Sequence, residues 1–165
     1  MNYHNITTDD MLNGMGLRTV LWLSHCEHKC KNCQNPQTWD KDSGILFDEK
    51  AKEELIEKLR PDYISGLTLS GGDPLSTLNR LEILPLVKEI KELFPNKNIV
   101  CYTGYSWDEV KDLEVVKYID VLVDGKFIEE LSIPSPKWVG STNQKIIDVK
   151  NSLKEGKVIL MKSWL

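Results

Sequence analysis

Arg18-Thr-Val-Leu-Trp-Leu-Ser24 leads without a break into His25-Cys26-Glu-His-Lys-Cys30-Lys-Asn-Cys33. The first half is rich in β-branched and aromatic residues and reads as a strand. The second half has no periodicity and carries three closely spaced thiols. A strand that delivers a chemically loaded loop at its carboxyl end points to an α/β fold, where functional residues gather at that end of the sheet.

The same pattern extends outward. Tyr63–Ser70, Asn98–Thr103 and Tyr118–Asp124 read as three more strands. Between them, Asp48 to Leu59 places Ala51, Leu55, Ile56 and Leu59 on one helical face, with Asp48 as N-cap and Pro61 beyond the end. Arg80 to about Phe94 carries an apolar stripe of Leu84, Val87, Ile90 and Leu93. Pro85 lacks an N–H to donate, so it belongs in the first turn or marks a kink. Ser106-Trp-Asp-Glu109 is a capping box that opens a short helix. Strands alternating with helices imply βαβ units and a mainly parallel sheet. Four strands cannot close an eight-stranded barrel. The expected fold is therefore α/β, an open, partial (β/α) barrel or a small sheet, with residues 1–165 forming one domain and the tail 145–165 left without assigned structure.

Composition narrows the function. Lys and Arg total 21 and Asp and Glu 25 in 165 residues, a formal charge of −4. With no basic excess to neutralise phosphates, direct nucleic-acid binding is not expected. No apolar run approaches the roughly 20 residues that span a bilayer, so no membrane role is expected. Met1 to Asn5 has neither the basic region nor the apolar core of a secretory signal, which makes the cytoplasm the expected compartment.

In a reducing compartment a cysteine cluster points to metal or catalysis rather than a disulfide. Cys26-x3-Cys30-x2-Cys33 can wrap three soft thiolates around one metal centre. Three readings compete. A structural zinc site needs a fourth ligand, for which only His28 or Cys101 is at hand, and no second cysteine pair exists. The thiols could instead be unrelated. The third reading is a [4Fe–4S] cluster on Cys26, Cys30 and Cys33, with one iron open for chemistry; electron-transfer clusters mostly use four cysteines. Gly71-Gly72-Asp73-Pro74 follows the second predicted strand at its carboxyl end. Taken alone it reads first as a plain turn capped by Asp73; placed at the same sheet face as the cysteine loop it becomes a candidate ligand cradle, the glycines allowing close approach and Asp73 accepting from an ammonium group.

Taken together, these motifs resemble the radical S-adenosylmethionine (SAM) superfamily. Cys26-x3-Cys30-x2-Cys33 looks like its cysteine motif, and Gly71-Gly-Asp-Pro74 like the Gly-Gly-Glu-type motif that holds the methionine amino group. Within the superfamily the chain resembles the activating proteins of anaerobic (class III) ribonucleotide reductase. Met1-Asn-Tyr3, Asn13-Gly-Met-Gly-Leu-Arg18, Cys33-Gln-Asn35, Thr38-Trp39, Leu69–Leu75, Thr103-Gly-Tyr105, Val123-Asp-Gly-Lys126 and Gly140-Ser-Thr-Asn-Gln144 carry this closer match. Four positions depart from the family pattern. Met15 stands where the family has Pro, His25 and Asn32 where it has Gly, and Val139 where it has Arg.

The resemblance implies a [4Fe–4S] cluster on the three cysteines, with SAM chelating the open iron. Gly71, Gly72 and Asp73 would hold its methionine moiety, and backbone around Asn32, Cys33 and Gln34 would lie against the adenine. It implies reductive SAM cleavage followed by hydrogen abstraction from a glycine of the reductase, with reduced flavodoxin or a similar protein as electron donor; a homodimer is compatible with it. No side-chain general base is required. An activase for another glycyl-radical enzyme and a non-catalytic zinc module are the alternatives. Elsewhere, Cys101 reads as a small buried hydrophobe, His28 as a surface or supporting group, and Asp124-Gly-Lys126 as a turn with a solvated charge. Tyr102 and Tyr105 face either the cofactor or the core.

Overall fold

The computed structural model describes residues 1–134 and 137–164. Its centre is one seven-stranded sheet. The strands are β1 (Asn2–Asp10), β2 (Leu17–Leu23), β3 (Ile45–Leu46), β4 (Ile64–Gly71), β5 (Asn98–Tyr102), β6 (Val121–Asp124) and β7 (Lys145–Asp148). Their order across the sheet is β3-β1-β2-β4-β5-β6-β7, and the two edges do not meet. The four strands expected from sequence form the parallel centre, β2-β4-β5-β6.

The sheet is mixed rather than mainly parallel. β1 pairs antiparallel with β2 and with β3, and β7 pairs antiparallel with β6. β1 escaped the reading because it buries only Tyr3 and Ile6 and slips register twice against β2, so its apolar residues do not alternate cleanly. The tail also has structure: β7 is followed by helix α4 (Val149–Glu155), whose N-cap Asp148 accepts from the Asn151 amide.

Side chains alternate across the strands. On one face Leu21, Leu23, Leu67, Leu69, Ile99 and Leu122 meet the apolar sides of α1 (Glu49–Leu59) and α2 (Asn79–Leu93). Asp48 caps α1 by accepting from the Ala51 amide at 3.0 Å, as expected. α2 differs in detail. It begins at Asn79, which puts Pro85 in its second turn on the exposed side, and it buries Ile83, Leu86, Val87 and Ile90 while Leu93 faces solvent. The capping box expected at Ser106–Glu109 opens α3 (Trp107–Val110).

The opposite face is lined by Val100, Val121, Val123 and Ile146, with Trp164 from the tail packed on them and on Trp138, ring centroids 6.0 Å apart. Fully buried Arg18 lies among these elements. Its Nε donates to Thr68 Oγ1 at 2.7 Å and an Nη2 to the Leu67 carbonyl at 2.9 Å. Burial lowers its pKa to about 10, so the guanidinium stays charged, held by neutral acceptors rather than by a carboxylate.

Candidate metal and cofactor site

The carboxyl ends of β4, β5 and β6 and the loop after β2 enclose a cavity of about 440 Å³. Cys26, Cys30 and Cys33 border it, and so do Gly71, Gly72, Asp73 and Gln34. Sequence motifs that lie some 40 residues apart thus share one site at the sheet end where the fold rule places it. Asn32 does not line the cavity. It is exposed, and its amide donates to Glu129, while Lys31 pairs with the same carboxylate at 3.1 Å.

The cysteine loop is held in an uncommon backbone. His25, Lys29 and Asn32 have φ of 76°, 48° and 54°, the left-handed region that favours glycine. Two of these are positions where the resembled family carries glycine. Asn32 tolerates the conformation best, because a short polar side chain suits it. His25 is offset by hydrogen bonds: its Nδ1 meets Ser76 Oγ at 2.8 Å, and its carbonyl accepts the Asp73 amide at 2.8 Å.

The glycine turn works against this loop. Gly72 donates its amide to the Leu23 carbonyl at 2.7 Å. A Cβ on Gly72 would lie 2.5 Å from the His25 carbonyl oxygen, and one on Gly71, at φ 98°, 2.5 Å from the Leu23 backbone. Both glycines let the end of β4 press on the root of the cysteine loop. The steric need for glycine comes from that backbone, besides any ligand in the cavity.

Asp73 is almost wholly buried, 1% exposed. Its Oδ1 accepts from the Leu75 amide at 2.8 Å and from Thr103 Oγ1 at 2.9 Å. Its Oδ2 accepts from His28 Nε2 at 2.7 Å and the Gly104 amide at 2.9 Å. His28 takes the supporting role, one of the two that its sequence reading allows: its side chain, 7% exposed, sits at the centre of this network, its ring edge-on to Tyr105 with centroids 4.4 Å apart. Thr103 and Gly104 join it. No spacing rule pointed to these three residues, because the partners come from different strands.

Other assignments resolve as follows. Tyr102 borders the cavity. Tyr105 instead donates to Glu27 Oε2 at 2.6 Å. Hydrogen bonds from Thr77 and Tyr105 hold the Glu27 carboxyl down at about 2. Cys101 is fully buried and outside the cavity, and burial pushes its thiol well above the ordinary range. Asp124 is no solvated turn charge. It is buried, accepting from the Trp107 and Lys145 amides at 2.9 and 3.1 Å, and so ties α3 and β7 to the end of β6.

Cys101 lies in the core outside the cavity and cannot complete a four-ligand zinc site with the loop, and His28 has its Nε2 committed to Asp73. What remains is a set of three soft thiols around open space, the donor chemistry of a cluster with one unprotected iron. The Asn35 amide lies 3.4 Å from Cys33 Sγ, an N–H aimed at a ligand sulfur. Among the described residues no three His, Cys, Asp or Glu side chains are already gathered tightly enough to hold a metal ion. The sulfurs border the cavity and must be drawn inward to bind one. Burial raises the Cys26 thiol to about 11 and raises the Cys30 thiol as well, so ligation must displace protons.

A three-thiol loop beside a glycine turn at one end of an open α/β sheet defines the class, an iron–sulfur protein of the single-cluster kind. The chain matches the model of the "4Fe-4S single cluster domain" family over residues 12–147. It is 46% identical to the anaerobic ribonucleoside-triphosphate reductase-activating protein of Enterobacteria phage T4 over 147 residues, 88% of this chain and 93% of the relative. The proteins of the same name from Haemophilus influenzae and Escherichia coli K12 are 45% and 43% identical over 150 residues, 88% of this chain and 97% of each relative. The chain belongs to the anaerobic ribonucleoside-triphosphate reductase-activating protein family. Among the described residues no helix is long and apolar enough to cross a membrane.

Proposed function

We propose that this protein activates an anaerobic ribonucleotide reductase by generating a glycyl radical on it, using SAM and a [4Fe–4S] cluster held by Cys26, Cys30 and Cys33. The observation that carries the reading is the convergence of the three cysteines with Gly71 and Gly72 on one cavity at the carboxyl end of the parallel strands. In this reading the open sheet is the partial (β/α) barrel of the radical SAM class. When bound, the cluster and SAM supply one-electron cleavage of the sulfonium and hydrogen abstraction from a glycine of the reductase, with an electron from reduced flavodoxin or a similar donor.

The chain's own part is positional. Cys26, Cys30 and Cys33 would hold the cluster at the border of the cavity. Backbone at Gly71 and Gly72 receives the methionine end, and backbone of Cys33 and Gln34 lies against the adenine. Asn32, facing outward, acts on that side by tying the loop to Glu129. Trp22, Tyr102, Phe127 and Val139 give the cavity apolar walls, which would keep water from the reacting carbon. No side chain need act as general base, because a hydrogen atom rather than a proton is removed.

The test is anaerobic incubation of reconstituted protein with SAM, reductant and an anaerobic ribonucleotide reductase, followed by electron paramagnetic resonance. A glycyl doublet on the reductase with stoichiometric 5′-deoxyadenosine is expected. Normal SAM cleavage with no such doublet would redirect the assignment to another radical SAM activity. A stable stoichiometric zinc content without iron or sulfide would overturn it altogether.

A further inference from the structure

We propose that Asp73 is a positioning residue, not a ligand for the cofactor's ammonium group: it fixes the middle of the cysteine loop, through His28, to the ends of β4 and β5. The inference rests on the SAM reading above and refines which atoms do what within it.

A carboxylate offers about four lone-pair directions. In Asp73 four donors from three parts of the chain fill them: the Leu75 amide in its own turn, the Thr103 hydroxyl and Gly104 amide after β5, and His28 Nε2 from the loop. An ammonium group arriving from the cavity would have to displace one of these donors, two of them buried and two half-buried, none of which has another acceptor among the described residues. The amino group is then left to backbone carbonyls of the glycine turn.

His28 sits between Cys26 and Cys30 in sequence, so anchoring its ring anchors the span that carries two of the three thiols. The ring has little freedom. Only 7% of its side chain is exposed, Tyr105 lies edge-on to it, and Gly104 has no Cβ because one would come 2.7 Å from Nε2. Thr103 and Gly104 belong to the strand end that borders the cavity. The network therefore sets the placement of the cysteines relative to the glycine turn, and with it the distance between cluster and sulfonium. A misplacement of about 1 Å in such a geometry costs on the order of 100-fold in rate.

The experiment compares wild type, Asp73→Asn, His28→Phe, His28→Gln and the Asp73→Asn/His28→Phe double variant as full chains. In the reconstituted proteins, SAM cleavage is measured against SAM concentration. Asp73→Asn and His28→Phe should each lower kcat at least tenfold, with KM moving less than about threefold, and the double variant should be no worse than the poorer single one. His28→Gln, which keeps an N–H near the same place, should recover part of the loss. In the metal-free proteins, amide hydrogen exchange of Gly104 and of residues 26–33 should accelerate at least tenfold in Asp73→Asn and in His28→Phe alike.

A large rise in KM confined to Asp73→Asn, with kcat unchanged and His28→Phe silent, would show that the carboxylate holds the ammonium directly and overturn the proposal. If Asp73→Asn does not fold, Thr103→Val with His28→Phe decides by the same signature, and unchanged kcat and exchange in both overturns it. If the wild type cleaves no SAM, the functional reading fails on its own; unchanged exchange in the metal-free variants would still refute the anchoring, and acceleration would still support it.

Discussion

Gly104→Ala is the most direct probe of the buried network. The backbone there is not left-handed, so alanine carries no conformational penalty. What it adds is one methyl group 2.7 Å from His28 Nε2 and nearer still to Cδ2. The ring must move, and with it goes the 2.7 Å bond to Asp73 Oδ2. Overpacking of a tight site costs about 1–3 kcal/mol. A lost hydrogen bond to a charged group costs about 1.5–3 kcal/mol. The terms overlap, since one displacement relieves the clash and breaks the bond, so the expected loss is about 3 kcal/mol. For a chain of this size that is roughly 6–12 °C in Tm. The assay is calorimetric or denaturant unfolding of the metal-free protein, repeated in a His28→Ala background, where the ring is gone and the methyl has space. There Gly104→Ala should cost less than about 1 kcal/mol. An equal cost in both backgrounds would refute the claim that Gly104 is glycine because of His28.

Four further outcomes are expected. Anaerobic reconstitution should load about four iron and four sulfide per chain, and Cys26→Ala, Cys30→Ala or Cys33→Ala should each abolish this while Cys101→Ala, a change within the core, keeps it. With the Cys26 thiol raised to about 11, its thiolate fraction at pH 8 is about 100-fold below that of an ordinary cysteine; alkylation of metal-free protein followed by mass spectrometry should find it correspondingly slow, and a rate equal to that of a free thiol would contradict the burial. Gly72→Val should disturb the cluster as well as SAM binding, because its side chain would strike the His25 carbonyl beside Cys26; a variant with full iron content and wild-type loop exchange would argue against that contact. At Asn32, φ 54° should make Gly nearly neutral for stability and Val costly by about 1–2 kcal/mol, read by thermal unfolding.

The sequence by itself carried the parallel centre of the sheet, the capped helix α1, the cysteine spacing and the glycine turn. These are local signals. A buried central strand is a short run of β-formers, Asp48 caps a helix three residues away, and a metal loop keeps its ligands close in sequence. It also placed both motifs at strand ends, because βαβ connectivity brings all parallel carboxyl ends to one side. Only the tertiary structure decided what surrounds them. β1 and β7 were hidden because each buries only two residues and draws its stability from its neighbours' hydrogen-bonding edges, which have no local signature. Asp124 reads as a turn charge until Trp107 and Lys145 are seen to cover it. The glycines of the turn read as a plain turn or a ligand cradle, and only the fold adds a second reason for them: Cβ atoms there would strike the end of β2 and the root of the cysteine loop. His28, Asp73 and Thr103 are spread over some 75 residues of chain. A buried carboxylate must find its donors wherever the fold supplies them, and no periodicity in the chain records which ones arrive.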